Sequence, residues 1–496
     1  MKKIIAMLLA VMMVVGMFAA CGNDAPETTA PAAPVESNPE TTAPVADGGN
    51  EEIPTLIWYQ VGGGQPANYD SWKAKMDAYL EEKIGVHLDV RVGSWGDWGN
   101  LRSVTVQTNE PYDLMFTDMS TYTSDVQMGA FADISDLMAE VPGLTDLIPQ
   151  DFLNACMIGG KLYGIPCYKD SSMTNFFVWT KADVEAYFPE YADAHTLADI
   201  DAGLRNIAAN VDYPALLLNQ DGLSCVTGNK YDACTLGNIG IGIAYNGGTE
   251  FVSVYEQPDV LADLALLQGW MADGVINSEA AVTAEATGMC AMGVAQGWPG
   301  AAKGWGESRG TEVVVSQFED TVLSNDTVMG SITCISNSSE HKLEALKLLE
   351  LVNTDSWVRD MLWYGEEGYN WEYVDENGTK KVQRLEVDDG GWTMAAYTQG
   401  TFFVATPEVG SDGYGEVQIQ NENAVASPAM GFIPDTTEIA DEISAVQAIF
   451  EEYKSLIMTG TGGQDSIDDM LAAMRDAGFD TILTEVNAQF NAWKAN

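Results

Sequence analysis

The chain has 496 residues, 46% of them hydrophobic, with 73 acidic against 23 basic side chains and a formal net charge of −50. An acidic excess of that size repels a polyphosphate, which excludes nucleic acid as a partner. The apolar fraction is ample for a buried core in a body long enough for about two or three domains.

Lys2 and Lys3 precede an apolar run over 4–20 that ends in the small residues of "FAAC". At 17 residues it is shorter than a bilayer span of about 20, and the charged start, apolar middle and small-residue end predict a signal peptide over 1–20. "FAAC" followed by "GND" resembles the lipobox of bacterial lipoproteins, with Phe18 where that motif prefers Leu, and implies a lipid on Cys21. From 21 to 52 the chain repeats "PETTAP" and carries no aromatic side chain. It cannot bury enough apolar surface to fold, so it is expected to be a disordered Pro/Thr-rich tether, reaching roughly 30–90 Å from a membrane. No second apolar run approaches a transmembrane length.

The body follows an α/β rhythm. Residues 55–61 ("TLIWYQV") read as a strand stopped by Gly62, Gly63 and Gly64. The spacing of Trp72, Met76, Tyr79 and Leu80 predicts a helix over 67–83. Residues 86–92 alternate as a strand, 101–107 read as a helix, and 112–118 as a third strand. Strand, helix, strand, helix, strand predicts a doubly wound parallel sheet, whose ligands sit beyond the carboxyl ends of the strands. That rule points at 60–64, 95–98 and 118–122. The triple glycine is neither GxGxxG nor GxxxxGK[ST], and no GxSxG elbow or HExxH helix is present.

Further on, 159–170 read as a crossing strand after a turn, and 328–355 as a strand, a Ser/Asn-rich cap and an amphipathic helix. "DENG" (375–378) predicts a hairpin turn rather than a calcium loop, whose alternating ligands are missing. Asp435 is placed to cap a helix carrying Ile439, Ile443, Val446, Phe450, Tyr453 and Ile457, and two more helical stretches follow at 465–478 and 480–493. The three histidines are isolated and the six body cysteines include no CxxC pair, so no metal site is expected. Cys225 and Cys234 bracket a loop and are read either as a disulfide or as buried free thiols.

Taken in order, these pieces resemble family 1 of the bacterial extracellular solute-binding proteins, the maltose-binding-like lipoprotein components of ABC importers. The resemblance rests on the lipobox and tether, the opening unit with "YDLMFTD", "GKLYGIP" (160–166), and "GMCAMGVAQGWPG" (288–300) followed by "ISNSSEHKLEALKLLELVN" (335–353). "WYGEEGYNWEY" (363–373) with "GFIPDTTEIADEISAV" (431–446) is similar to a lipoprotein subgroup linked to complex-carbohydrate import. The family implies two α/β lobes of the type II periplasmic-binding-protein fold. Lobe 1 would be 53–165 plus 330–362, and lobe 2 would be 166–329 plus 363–496. Ligand would be held between them and released to permease subunits by hinge opening and closure. It implies a monomer anchored on the outer face of the membrane, with no cofactor and no catalysis.

Sugar sites need flat aromatic platforms and polar rims. The resemblance places Trp298 at the family's sugar-stacking tryptophan, with Trp305 seven residues on. Strand ends nominate Trp95, Trp98, Asp118, Tyr122 and Gln60, the hinge crossing nominates Tyr168 and Asp170, and the later insertion nominates Tyr364 and Trp392. The ligand expected is an oligosaccharide. The alternatives are peptides or other small solutes, for which an anionic group would turn to Arg102 or Lys169, and a surface glycosidase needing two carboxylates at fixed separation.

Overall fold

The computed structural model describes residues 53–108 and 110–495, so the leader, Cys21 and the tether lie outside the described residues. Its main strands, in chain order, are β1 (Thr55–Gly62), β2 (His87–Ser94), β3 (Leu114–Thr117), β4 (Gly164–Pro166), β5 (Met173–Thr180), β6 (Met292–Gln296), β7 (Val313–Leu323), β8 (Ile332–Ile335), β9 (Trp371–Glu376), β10 (Thr379–Arg384) and β11 (Val425–Ala426).

The opening unit forms as its periodicity dictates. The helix Tyr69–Ile84 buries Trp72, Met76 and Leu80, which recur every fourth residue, and ends where Gly85 turns left-handed. β1 runs parallel to both β2 and β3, which is the doubly wound start. β8 and then β4 extend the sheet in the order β2-β1-β3-β8-β4, with β8 antiparallel to both neighbours. Trp58, Trp72, Met115 and Phe152 fill the core around it.

A second sheet, β6-β5-β7-β11, is antiparallel at β5 and has a separate core built on Phe177, Trp179, Trp270 and Phe450. The helices Ala440–Met458, Gln464–Asp476 and Phe479–Lys494 close that core with Val446, Phe450, Ile457, Met470, Met474, Ile482 and Phe490. Asp435 does not cap the long helix: it accepts from the Thr437 amide at 3.0 Å, just ahead of the short turn Thr437–Ile439 that leads into it.

Two sheets with two cores make two lobes. The chain passes between them three times: from β4 to β5, from β7 to β8, and from the β9–β10 hairpin to β11. The crossings lie side by side. Cys167 N donates to Ser331 O at 2.9 Å, Ser427 N to Leu323 O at 2.7 Å, and Phe402 N to Tyr168 O at 3.2 Å.

The lobe boundary corrects one expectation. The stretch 363–394, assigned to lobe 2, packs on the first core through Tyr364, Trp371, Val382 and Met394. The cause is a pair of indoles: Trp72 and Trp392 lie 5.4 Å apart and donate to the carbonyls of Met361 and Leu362. Its hairpin turns at Asn377 and Gly378, both left-handed (φ 56° and 83°), as "DENG" predicts. The triple glycine also finds its reason here. Gly63 N donates to Thr393 O at 2.7 Å, and a Cβ on Gly62 would run into that same carbonyl. Glycine lets the 392–400 segment lie against the carboxyl end of β1.

Candidate ligand-binding site

β6 ends at Gln296, and the chain turns through Gly297 to present Trp298 half-exposed beside the first crossing. A cavity of about 290 Å³ opens there, lined by Asp170, Ser172, Gln296, Gly297, Trp298 and Gln420. The helix Gly415–Asn423 forms its far wall and is fastened at several points. Gln420 Nε2 donates to Gly297 O at 3.1 Å, Gly300 N to Glu416 Oε2 at 3.0 Å, and Ser172 N to Asn421 Oδ1 at 3.0 Å. These bonds tie the Trp298 loop, the crossing and the returning chain into one frame.

From Trp298 a row of rings leads toward the first lobe. Trp298 meets Tyr414 edge to face at 6.3 Å, Tyr414 lies 4.7 Å from Phe402 and 5.5 Å from Trp363, and Trp363 meets Phe402 at 4.9 Å. Burial pushes the Tyr414 phenol up, so it stays a neutral donor and acceptor at physiological pH. Beneath the row, the fully buried guanidinium of Arg359 sits 4.6 Å over the Trp363 ring. Beyond the end of β2, Trp95 and Tyr397 stack at 6.0 Å and are exposed by 52% and 45%.

The nominated residues divide sharply. Trp298 and Asp170 line the cavity together, and Trp95 stands exposed at the strand end. Asp170 carries Lys169 Nζ at 2.7 Å, which orients its carboxylate. Trp305 is not on a glycine loop: it lies on the helix Ala302–Arg309, half-buried against Phe176 at 6.0 Å. Trp98 opens its helix facing inward and packs on Phe116. Tyr122 is fully buried, its hydroxyl donating to Cys156 O at 2.6 Å. Tyr168 is wedged between Phe152 and Phe403, and Tyr364 donates to Thr406 O at 2.8 Å from the core. Trp392 is the indole that docks its segment on Trp72. Gln60 is wholly buried, accepting from Thr398 at 2.8 Å while its Nε2 has no partner. Asp118 accepts from the Ser120 amide at 2.9 Å through Oδ1, which closes a turn, and the residue stays partly exposed. Arg102 is spent on the buried Asp125.

Sequence reasoning did not nominate Gln296 and Gln420, which line the cavity, or the partly exposed rings of Trp363, Tyr397 and Tyr414. The signal for Trp363 was within reach. On the helix Ser356–Tyr364, neighbouring residues point about 100° apart, so only one of Trp363 and Tyr364 can face the core. Tyr397 sits in a three-residue 3-10 turn and Phe402 and Tyr414 in irregular chain, so there is no period to read. The cysteines resolve toward the second alternative: Cys225 and Cys234 are free and buried. Among the described residues no group of three or more His, Cys, Asp or Glu side chains is arranged to hold a metal ion.

Residues 63–358 match the model of the family described as bacterial extracellular solute-binding protein, and 428–495 match a domain of unknown function. A carbohydrate ABC transporter substrate-binding protein of Streptococcus pneumoniae is 25% identical over 467 residues, covering 91% of this chain and 93% of that one. The crystal structure of an N-glycan transport solute-binding protein (NgtS) from the same species superposes with a TM-score of 0.77 at 23% identity, covering 89% of this chain and 99% of that one. An HMO-binding, ABC-transporter-associated solute-binding protein of Bifidobacterium longum infantis gives 0.62 at 14% identity, covering 89% and 99%. At those identities the structural likeness speaks for the fold.

Proposed function

Since the chain belongs to the bacterial extracellular solute-binding protein family, we propose that it captures an oligosaccharide between its lobes and delivers it to the permease of an ABC importer. The observation that carries this reading is the row of partly exposed rings from Trp298 through Tyr414 to Trp363, backed by the buried Phe402 and edged by Asp170, Gln296 and Gln420. Sugar rings offer flat C–H faces ringed by hydroxyls. Planar rings receive the faces, while a carboxylate and amides that both donate and accept receive the rim. The second platform, Trp95 on Tyr397, supports a ligand longer than one sugar unit. The relatives point the same way: the S. pneumoniae NgtS has been crystallised with Man1GlcNAc.

Delivery follows from the three adjacent crossings, which let the lobes close as rigid bodies on a bound ligand. The permease then reads the closed form. Lipid on Cys21 and the Pro/Thr-rich tether hold the protein at the outer face of the membrane. Nothing in this role requires bond cleavage, and the protein acts as a carrier rather than an enzyme.

A thermal-shift screen of the purified protein against oligosaccharides, simple sugars and dipeptides tests the reading. A ligand at 100 times its dissociation constant stabilises the fold by about 2.7 kcal/mol. A shift with one glycan class, abolished by Trp298→Ala, is the expected result. Shifts with dipeptides alone would overturn the carbohydrate assignment, and release of free sugar from the bound glycan would overturn the carrier role.

A further inference from the structure

A second and larger cavity, about 740 Å³, lies in lobe 2 between β6, the short helix Cys225–Gly228 and the helix Ala440–Met458. Gln296 lines both this cavity and the Trp298 cavity, so the two adjoin. Its volume falls within the usual range for small-molecule sites, roughly 300–1,000 Å³.

The lining has the wrong charge for this protein. The chain carries 73 acidic residues against 23 basic ones, yet the wall includes Arg309 and Lys454 and no Asp or Glu. Of the chain's seven arginines, five form ion pairs. A sixth, Arg359, is wholly buried and donates to backbone carbonyls. Arg309 alone is at once accessible and without a carboxylate partner among the described residues. Its one hydrogen bond runs from Nη1 to Val178 O at 2.9 Å, which leaves most of its five donors unused. The strand is cut to receive it: a Cβ on Gly293 would run into Arg309 Nη2, so glycine there lets the guanidinium lie along β6. Lys454 adds a second positive charge, shared with the exposed Asp221 at 2.8 Å on the rim. Asn219, Gln296 and Asn238 supply neutral donors and acceptors.

We infer that this cavity is a second compartment of the ligand site and receives an anionic group, the carboxylate of an acidic sugar unit in the captured oligosaccharide. The inference rests on the oligosaccharide reading for its ligand class. A planar guanidinium with free paired donors suits a carboxylate in two-point contact. The adjoining Trp298 cavity takes the neutral sugar next to it.

The test titrates the protein with matched neutral and carboxylated oligosaccharides of equal length, with glucuronate, and with inorganic phosphate. The acidic member of a pair should bind at least tenfold tighter at low salt, and the preference should shrink as salt rises. In Arg309→Gln the acid-to-neutral ratio should collapse toward one, and Arg309→Lys, which keeps the charge but loses the fork, should retain only part of it. Melting curves of both variants separate lost recognition from lost folding, and Lys454→Gln gives a second probe of the same wall should Arg309→Gln fail to fold. Equal binding of neutral and acidic members, or an unchanged ratio in Arg309→Gln, would overturn the inference and leave the oligosaccharide reading standing. Binding of glucuronate or phosphate with no oligosaccharide would uphold the anion compartment and sink that reading. No binding in any arm would overturn both.

Discussion

The indole of Trp95 lies flat on the phenol ring of Tyr397, planes 8° from parallel and centroids 6.0 Å apart. Trp95 comes from the end of β2 and Tyr397 from the segment that the glycines of β1 admit, so residues 302 positions apart build one exposed platform. Aromatic contacts of this kind contribute about 0.5–1.5 kcal/mol, so Trp95→Ala should weaken oligosaccharide binding by roughly two- to twelvefold. Because both rings are about half exposed, the melting temperature should barely move. Calorimetric titration with long and short glycans checks this, and a loss confined to the longer ligand is the expected signature.

Arg359 holds the Tyr397 segment from below. Its Nε donates to Thr401 O at 2.7 Å, and Nη2 donates to Ala396 O at 2.7 Å and Gly400 O at 3.1 Å. Burial pulls this guanidinium down to about 10, still charged at neutral pH. Arg359→Met strands three carbonyls, and each orphaned buried acceptor costs about 1–3 kcal/mol. The expected outcome is a loss of several kcal/mol in denaturant unfolding, together with weaker binding at the Trp95 platform. Destabilisation with full affinity for long glycans would show that the segment keeps its place without this arginine.

The doubly wound start was legible because period alone decides it: Trp72, Met76 and Leu80 repeat along one helix face, and β1, β2 and β3 alternate or run apolar. The place of Trp298 beside a cavity was legible from its position after β6 in a stretch resembling the family's. The other rings of the candidate site were not, for a definite reason. Tyr397, Phe402 and Tyr414 lie on chain that returns between lobes with no regular period, and their neighbours are brought by tertiary contact over long sequence distances. The same contact misled the lobe boundary: the stretch 363–394 follows lobe 1 because Trp392 reaches Trp72, which no local pattern announces. Tyr122, Tyr168 and Tyr364 failed as site residues because a tyrosine at a strand or helix end can turn either way, and these three found buried backbone or ring partners.

The cysteines give a chemical prediction. Cys156, Cys167, Cys225, Cys234 and Cys334 are free and buried, and Cys290 is half-buried. Burial pushes all six thiols up, so little thiolate forms at pH 8. The native protein should react slowly with a thiol reagent, first at Cys290, and all six should react at once in denaturant. Reductant should leave the melting temperature unchanged. A drop on reduction would mean that Cys225 and Cys234 pair after all.

Asp326 stands on the crossing from β7 to β8, and Asp232 faces it from lobe 2. Consecutive amides serve them, Cys234 N to Asp232 at 2.8 Å and Thr235 N to Asp326 at 3.3 Å, and each acid keeps one buried oxygen without a partner. Burial, and then the charge of Asp232, push the Asp326 carboxyl up to about 7, against 3.8 when unperturbed. The folded state therefore holds a proton that the unfolded chain releases. The stability tied to that proton is full below about pH 4 and is lost as pH climbs through 7. Asp326→Asn keeps the neutral form at every pH, so its melting temperature should exceed the wild type at pH 8 by a few degrees and converge with it near pH 4. Parallel melting curves of the two proteins across that range decide the matter, and an Asn variant that melts lower than wild type at pH 8 would show that Asp326 is held ionised in the fold.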